Sequence, residues 1–154
     1  MKFLCDDNLG KLAKLLRILG YDVLFDSKVD DHKLIRQSLE EERVILTRDT
    51  KLVRFKTIRN QILIAHDDPI EQLKQVIRQL GLESRKENLF SRCLLCNSLL
   101  DKMEKKDAEE RVPAYVFRTH EHFLICRSCN KIFWKGTHVE ATKERLRTKG
   151  VIFK

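Results

Sequence analysis

Two short cysteine motifs decide how this sequence is organised: Arg92-Cys93-Leu94-Leu95-Cys96-Asn97 and Cys126-Arg127-Ser128-Cys129-Asn130. Each is a C-x-x-C knuckle, a tight turn that offers two thiolates, and two knuckles together supply the tetrahedral sulfur set of a structural zinc. The alternatives are a chance pairing of core cysteines and a redox C-x-x-C. Both pairs have the same spacing and both precede Asn, which favours zinc held by Cys93, Cys96, Cys126 and Cys129. Four thiolates leave no open coordination position, so any reaction must occur elsewhere in the chain.

The sequence around the knuckles predicts a zinc ribbon with a C-terminal basic helix over residues 91–154. The charged segment 101–111 is expected to form a loop, and the basic helix is expected over residues 138–149. A segment of this size seldom buries a sufficient core by itself, so the zinc would stabilise it. Strands are expected over residues 112–117, 122–125 and 131–134.

Residues 1–85 alternate short apolar runs with amphipathic helical patterns. Such alternation predicts βαβ units, and therefore a small α/β domain with a parallel sheet and helices on its faces. Gly20 and Gly81 stand where the first and last helices should end, and Asp67-Asp68-Pro69 should begin the last one. Residues 82–91, rich in charge, are expected to form a linker. Strands are expected over residues 2–5, 21–25, 44–47 and 60–65.

Acidic residues follow the strands of this predicted sheet. Asp6-Asp7 comes directly after the first strand and Asp49 closely follows the third, so they should meet at the carboxyl edge of the sheet, where ligands bind in open parallel sheets. Asp31, before the second helix, is a further candidate. Carboxylates are the ligands that Mg²⁺ and Mn²⁺ prefer, and these ions serve phosphodiester hydrolysis. The alternative is that each Asp caps a helix N-terminus.

Basic residues accompany these carboxylates. Lys11, Lys14 and Arg17 lie within about 120° of one another on the first predicted helix, at roughly 100° per residue, and could contact phosphates. The alternative is the solvated face of an amphipathic helix. Arg48, beside Asp49, could neutralise transition-state charge or simply pair with that carboxylate.

The overall charge also points to a polyanionic partner. The 154 residues carry a formal net charge of +8, most of it in residues 89–154, and nucleic acid is the expected partner. Cysteines in metal-type pairs indicate a reducing compartment rather than a disulfide scaffold, and no long apolar stretch predicts a membrane span. We therefore expect a cytoplasmic protein. Cys5, with apolar neighbours, is expected to be a buried core thiol.

One set of motifs runs along nearly the whole chain. In chain order it consists of Asp6-x-x-Leu9-Gly10-Lys11-Leu12-Ala13-x-x-Leu16-Arg17-x-Leu19-Gly20-Tyr21-Asp22, Leu46-Thr47-Arg48-Asp49, Arg92-Cys93-x-x-Cys96-Asn97, Val112-Pro113, and Cys126-x-x-Cys129 with Trp134-x-Gly136-Thr137-His138. Taken together, these motifs resemble the Mut-seven C-terminal RNase domain family.

The resemblance implies a PIN-like nuclease core with a zinc ribbon, and a metal-dependent ribonuclease that uses Mg²⁺ or Mn²⁺. The family's acidic positions fall on Asp6, Asp31 and Asp49; Asp31 is preferred to Asp30 because it stands three residues before Leu34. PIN-like nucleases usually gather four acidic residues, and the fourth is left open between Asp7 and Asp30. The competing hypothesis is a non-catalytic RNA-binding or adaptor protein in which the carboxylates only cap helices.

Overall fold

The computed structural model describes residues 1–28, 30–55 and 60–154. The chain forms two compact units: the first unit is Met1–Asn97 with Phe153–Lys154, and the second unit is Ser98–Ile152. Within the described ranges, no helix combines the length and the apolar character needed to cross a membrane.

The first unit contains a parallel sheet of four strands: β1 (Lys2–Cys5), β2 (Asp22–Phe25), β3 (Val44–Thr47) and β4 (Gln61–Leu63). Their order in the sheet is β2-β1-β3-β4. The inner strand β1 places Leu4 beside Leu24 of β2 and Ile45 of β3, and β3 pairs with β4 in turn. This arrangement confirms the predicted α/β class.

Helices cover both faces of this sheet, because the chain moves from β1 to β2 on one side and then back past β1 to β3. Right-handed crossovers place the two connecting helices on opposite faces under that reversal. Leu34 of the second helix packs on Leu4 and Ile45, whereas the first helix contacts the third. The helices are α1 (Gly10–Ile18), α2 (Asp31–Glu41) and α3 (Pro69–Leu80). The reversal creates a switch point outside the carboxyl ends of β1 and β3, the usual ligand position in such sheets.

The C-terminal end of α1 is built around Gly20. Its φ of +90° is a left-handed conformation that favours glycine, and a Cβ there would lie 2.5 Å from the backbone oxygen of Asn88. The amide of Phe90 donates to the carbonyl of Ile18 at 2.8 Å. The segment 82–91, expected to be a linker, therefore packs on the first unit.

The second unit contains three strands, β5 (Asp101–Met103), β6 (Phe123–Ile125) and β7 (Ile132–Trp134), and the helices α4 (Lys105–Ala108), α5 (Ala114–Thr119) and α6 (Thr137–Thr148). The strands form an antiparallel sheet in the order β5-β6-β7. Trp134 lies opposite Phe123 in the β6–β7 pair, as expected for a chain that returns after the second knuckle.

Two local expectations for the second unit are wrong. Residues 112–117 do not form a strand, because the chain turns into α5 after Pro113 and carries Val116 inward beside Ala108 and Phe123. The spacing of the apolar residues in 112–117 fits the two-residue period of a strand and also the period of a helix. Residues 101–111 are not a loop, because β5 pairs with β6 and α4 buries Ala108 completely. A single buried alanine is a weak sequence signal among so many charges.

Candidate functional site

The four cysteines form one compact group. The sulfur atoms of Cys93, Cys96, Cys126 and Cys129 all lie within 4.8 Å of one another. Cys93 and Cys126 are buried, Cys129 is half-buried, and Cys96 is exposed.

The two knuckles share one backbone geometry. In each, the amide of the following Asn donates to the carbonyl of the first cysteine: Asn97 to Cys93 at 2.9 Å and Asn130 to Cys126 at 2.8 Å. Both asparagines have positive φ, 72° and 58°, a conformation that Asn tolerates better than most residues. The repeated Asn in the sequence is therefore the residue that closes each turn.

The group fits zinc by its chemistry and its size. Four thiolates at about 2.3 Å from one zinc ion lie about 3.8 Å apart in a tetrahedron, within the observed spread of 4.8 Å. Such a set is closed to substrate, so its role would be structural. Among the described residues it is also the one group of three or more His, Cys, Asp or Glu side chains with ligand atoms close enough to hold an ion.

The candidate carboxylates lie at the edge of the parallel sheet, and a buried threonine joins two of them. The Thr47 hydroxyl donates to Oδ2 of Asp6 at 2.7 Å and accepts from the backbone amide of Asp49 at 2.9 Å. Asp6 follows β1 and Asp49 follows β3, so this bridge lies at the switch point of the sheet. Sequence reasoning missed Thr47, although it stands in the quoted Leu46-Thr47-Arg48-Asp49 motif.

Each of these carboxylates also binds its own loop. Asp6 accepts from the amide of Asp7 at 2.7 Å, and Asp49 accepts from the amide of Lys51 at 2.7 Å. Asp31 is the first residue of α2 and is exposed, whereas Asp30 caps that helix by accepting from the amide of Lys33 at 3.0 Å. The structure thus brings Asp6 and Asp49 together through Thr47, and it does not bring the three carboxylates within the ligand distance that the cysteines reach.

A cleft of about 620 Å³ lies beside this edge, in the first unit. All four basic residues singled out in the sequence line it, together with two carboxylates. Phe25 at the end of β2 and two leucines of the first knuckle supply its apolar wall. The lining residues are Asp7, Asn8, Gly10, Lys11, Lys14, Arg17, Phe25, Arg48, Asp67, Pro69, Gln72, Leu94 and Leu95.

The four basic residues differ in what they can contact. Lys11 and Lys14 are exposed, whereas Arg17 is only 4 % exposed and donates to three backbone carbonyls, those of Val23, Leu94 and Leu95. Its guanidinium is therefore used by the fold, although it lines the cleft. Burial lowers the pKa of Arg17, and nearby negative groups oppose this shift only in part.

Arg48 is exposed and its guanidinium lies 2.5 Å from the carboxylate of Asp67, which follows β4. Asp67 is a residue that the sequence analysis did not assign to the site. Position alone could have indicated it, because Asp67 follows the fourth strand as Asp6 and Asp49 follow the first and third.

Comparison with known proteins gives one match. A family model described as the Mut7-C RNAse domain matches residues 1–146. The search of curated proteins found no match. The search of solved structures found none either.

Proposed function

Because this chain belongs to the Mut7-C RNAse domain family, we propose that it is a metal-dependent ribonuclease that hydrolyses RNA phosphodiester bonds. The family points to a nuclease-like role connected with RNA, and the four-cysteine group fits a structural zinc. We assign the reaction to Asp6, Asp31 and Asp49, with Mg²⁺ or Mn²⁺ as the catalytic cofactor. A cytoplasmic location agrees with paired cysteines of metal type.

One observation carries the catalytic proposal: the Asp6–Thr47–Asp49 bridge stands next to the basic cleft. Asp7 and Arg48, the chain neighbours of the two carboxylates, both line that cleft. RNA in the cleft would therefore present a phosphodiester close to the carboxylates.

In this proposal Asp6 and Asp49 would hold the catalytic ions, and Asp31 would contribute a further carboxylate from the start of α2. When bound, a divalent ion would neutralise the phosphoryl oxygens and activate water. The reaction adds water across the phosphodiester: hydroxide bonds to phosphorus, the bond from phosphorus to one ribose oxygen breaks, and that oxygen takes up the remaining proton. Arg48 would counter the charge that develops on the phosphoryl group.

The strand is held by Lys11 and Lys14 on α1. Gly10 at the start of α1 and Pro69 at the start of α3 also line the cleft. With four cationic side chains against two carboxylates in its lining, the cleft offers the substrate a net positive charge.

The second unit offers further contacts to RNA. A depression of about 680 Å³ is lined by four cationic and two anionic side chains, together with Met103 and Ile125. We propose that it binds phosphates and that the ribbon thereby aids RNA binding. The charged side chains are Lys102, Glu104, Lys106, Asp107, Arg111 and Arg127.

The proposal is tested by cleavage of labelled single-stranded and structured RNA with Mn²⁺ or with EDTA. Asp49→Asn should cleave at least about a hundredfold more slowly than wild type, because it removes a carboxylate ligand. Glu110→Gln, an exposed change in the second unit that lines neither the cleft nor this depression, is the matched control and should cleave normally. Wild-type rates for Asp49→Asn would refute the metal site.

The second candidate function is a non-catalytic RNA-binding or adaptor protein. It is favoured by the local hydrogen bonds of Asp6 and Asp49 and by the distance that separates the candidate carboxylates. It predicts RNA binding that weakens steeply with salt, without cleavage in Mn²⁺. The same preparations therefore separate the two functions.

A further inference from the structure

We propose that the first zinc knuckle forms the base-contacting wall of the RNA cleft, with Leu94, Leu95 and Phe25 receiving the bases of single-stranded RNA. This inference rests on the proposed function, since it assigns a substrate subsite to the same cleft. It gives the knuckle a second role, because the pattern of cysteines alone indicates only a structural zinc.

The wall is apolar and open. Leu95 is 51 % exposed, and both leucines of the knuckle line the cleft together with Phe25. The ring of Phe25 lies over Gly10, where a Cβ would come within 3.0 Å of the ring, so the ring is packed from behind by the start of α1. A fixed ring with an accessible side is a surface on which a base can stack.

Arg17 holds the knuckle in this place. One guanidinium nitrogen, Nη1, donates to the carbonyls of Leu94 at 2.9 Å and Leu95 at 3.1 Å. The other two, Nε and Nη2, donate to the carbonyl of Val23 at 3.0 Å and 2.8 Å. The fork of a single buried side chain thus ties the knuckle to strand β2.

Asn97 provides the second tie. Its Oδ1 accepts from the amide of Val23 at 2.9 Å, and its Nδ2 donates to Asp22 at 2.9 Å. Burial would raise the pKa of Asp22, but hydrogen bonds from Arg43 and Asn97 outweigh it, so the pKa is lowered. β2 is an edge strand, and the backbone amide and carbonyl of Val23 face away from the sheet. Asn97 accepts from the amide and Arg17 donates to the carbonyl, as a neighbouring strand would.

The chemistry of the cleft selects the occupant. Exposed Lys11 and Lys14 attract a phosphate chain, while the leucines and Phe25 offer no polar group to a base edge. Contact with the face of a base is sequence-tolerant, and a duplex hides those faces. Zinc at the four-cysteine group would fix Cys93 and Cys96, which flank the two leucines on either side.

The test measures binding of three fluorescent probes to the full chain without divalent ions: single-stranded oligouridine, the same chain without bases, and an RNA duplex. Wild type should bind oligouridine about tenfold more tightly than the abasic chain, since a stacked base contributes at this level. Leu95→Ser should lose most of that preference. Leu39→Ser, at an equally exposed leucine on α2 that does not line the cleft, should keep it.

If Leu95→Ser keeps the full preference for oligouridine over the abasic chain, the knuckle leucines do not contact the bases. The ribonuclease proposal would be unaffected by that result. No binding of any probe by wild type would overturn the role proposed for the knuckle leucines. The ribonuclease proposal would fail with it only if wild type also does not cleave RNA in the separate assay with Mn²⁺.

Arg17→Lys tests the positioning residue. The substitution keeps the positive charge but removes the guanidinium that ties the knuckle to β2, so the preference for oligouridine should fall. The salt dependence of binding should stay as in wild type, because in this proposal Arg17 contacts no phosphate. Lys11→Ala should do the opposite and reduce the slope against log salt by about 0.7. A reduced slope in Arg17→Lys would place Arg17 on the phosphates and contradict its positioning role. The zinc content of each variant reports whether the knuckle is still formed.

Discussion

The four-cysteine group and the carboxylate edge both combine residues from distant parts of the sequence, but they differ in how close their potential ligand atoms lie to one another. The sulfur atoms lie within 4.8 Å of one another, whereas Asp6, Asp31 and Asp49 form no such group among the residues that the structure describes. The cysteines lie in pairs, and one local turn holds each pair, so the site is complete once the two turns meet. Each carboxylate lies in a separate segment, and Asp6 and Asp49 accept from amides of their own loops.

The largest effect is expected when one of the four cysteines is replaced. Cys126→Ser removes one of four ligands, so the protein should lose its zinc and on the order of 5 kcal/mol of unfolding free energy in the second unit. The measurements are zinc content per chain and urea unfolding followed by Trp134 fluorescence.

Cys5→Ala is the matched control for this variant. Cys5 is a fully buried cysteine of β1 outside the group, so its replacement should leave the zinc content unchanged. Burial raises the pKa of the Cys5 thiol, which therefore stays neutral and inert. Full zinc content in Cys126→Ser would show that the four sulfurs do not act as one site.

The contrast between local and separate assembly also explains what the sequence could predict. The knuckles and the strands of the parallel sheet followed from short-range patterns, and the sheet order placed Asp6 and Asp49 at one edge as expected. The pattern could not show that Arg17 is buried, since a basic residue on a helix face suggests solvent or phosphate. Its acceptors at residues 94 and 95 lie far along the chain and have no sequence signature.

Thr47 illustrates the same limit within the site. A threonine at the end of a buried strand is a common β-former, so the sequence gives no reason to assign it a role. Only the register of β1 against β3 places its hydroxyl between the two loops. Asp30 and Asp31 show a smaller limit, because adjacent carboxylates before a helix are equivalent until the helix start is known.

The second prediction tests whether the carboxylate edge acts as a site. Thr47→Val removes the hydroxyl that orients Asp6 and accepts from Asp49, so cleavage should slow by about ten- to a hundredfold, as is usual when an outer partner of a metal ligand is lost. RNA affinity without divalent ions should not change, because Thr47 is fully buried and contacts no substrate.

Thr47→Ser keeps the hydroxyl and should restore most of the cleavage rate. Equal rates for Thr47→Val and wild type would show that the bridge is only structural. Urea unfolding of both variants controls for loss of fold.

The smallest expected effect tests whether Asp31 or Asp30 is the catalytic carboxylate. Asp30→Ala removes the cap of α2 and should lower the urea midpoint more than Asp31→Ala, since only Asp30 accepts from Lys33. Cleavage should respond in the opposite order and fall with Asp31→Ala. If Asp30→Ala abolishes cleavage in a folded protein and Asp31→Ala does not, Asp30 is the catalytic carboxylate.

The cap of α2 also predicts a pH dependence with a definite sign. The hydrogen bond from the backbone amide of Lys33 lowers the pKa of Asp30 below its ordinary value of 3.8. A carboxyl whose folded pKa is depressed stabilises the fold fully above its unfolded value, and that contribution is lost as pH falls through the folded pKa. The difference in urea midpoint between wild type and Asp30→Ala should therefore be constant well above pH 3.8 and shrink as the pH falls through and below that value. Acid also releases zinc from both proteins, and taking the difference between them removes that shared effect; a difference that grows in acid would contradict the cap.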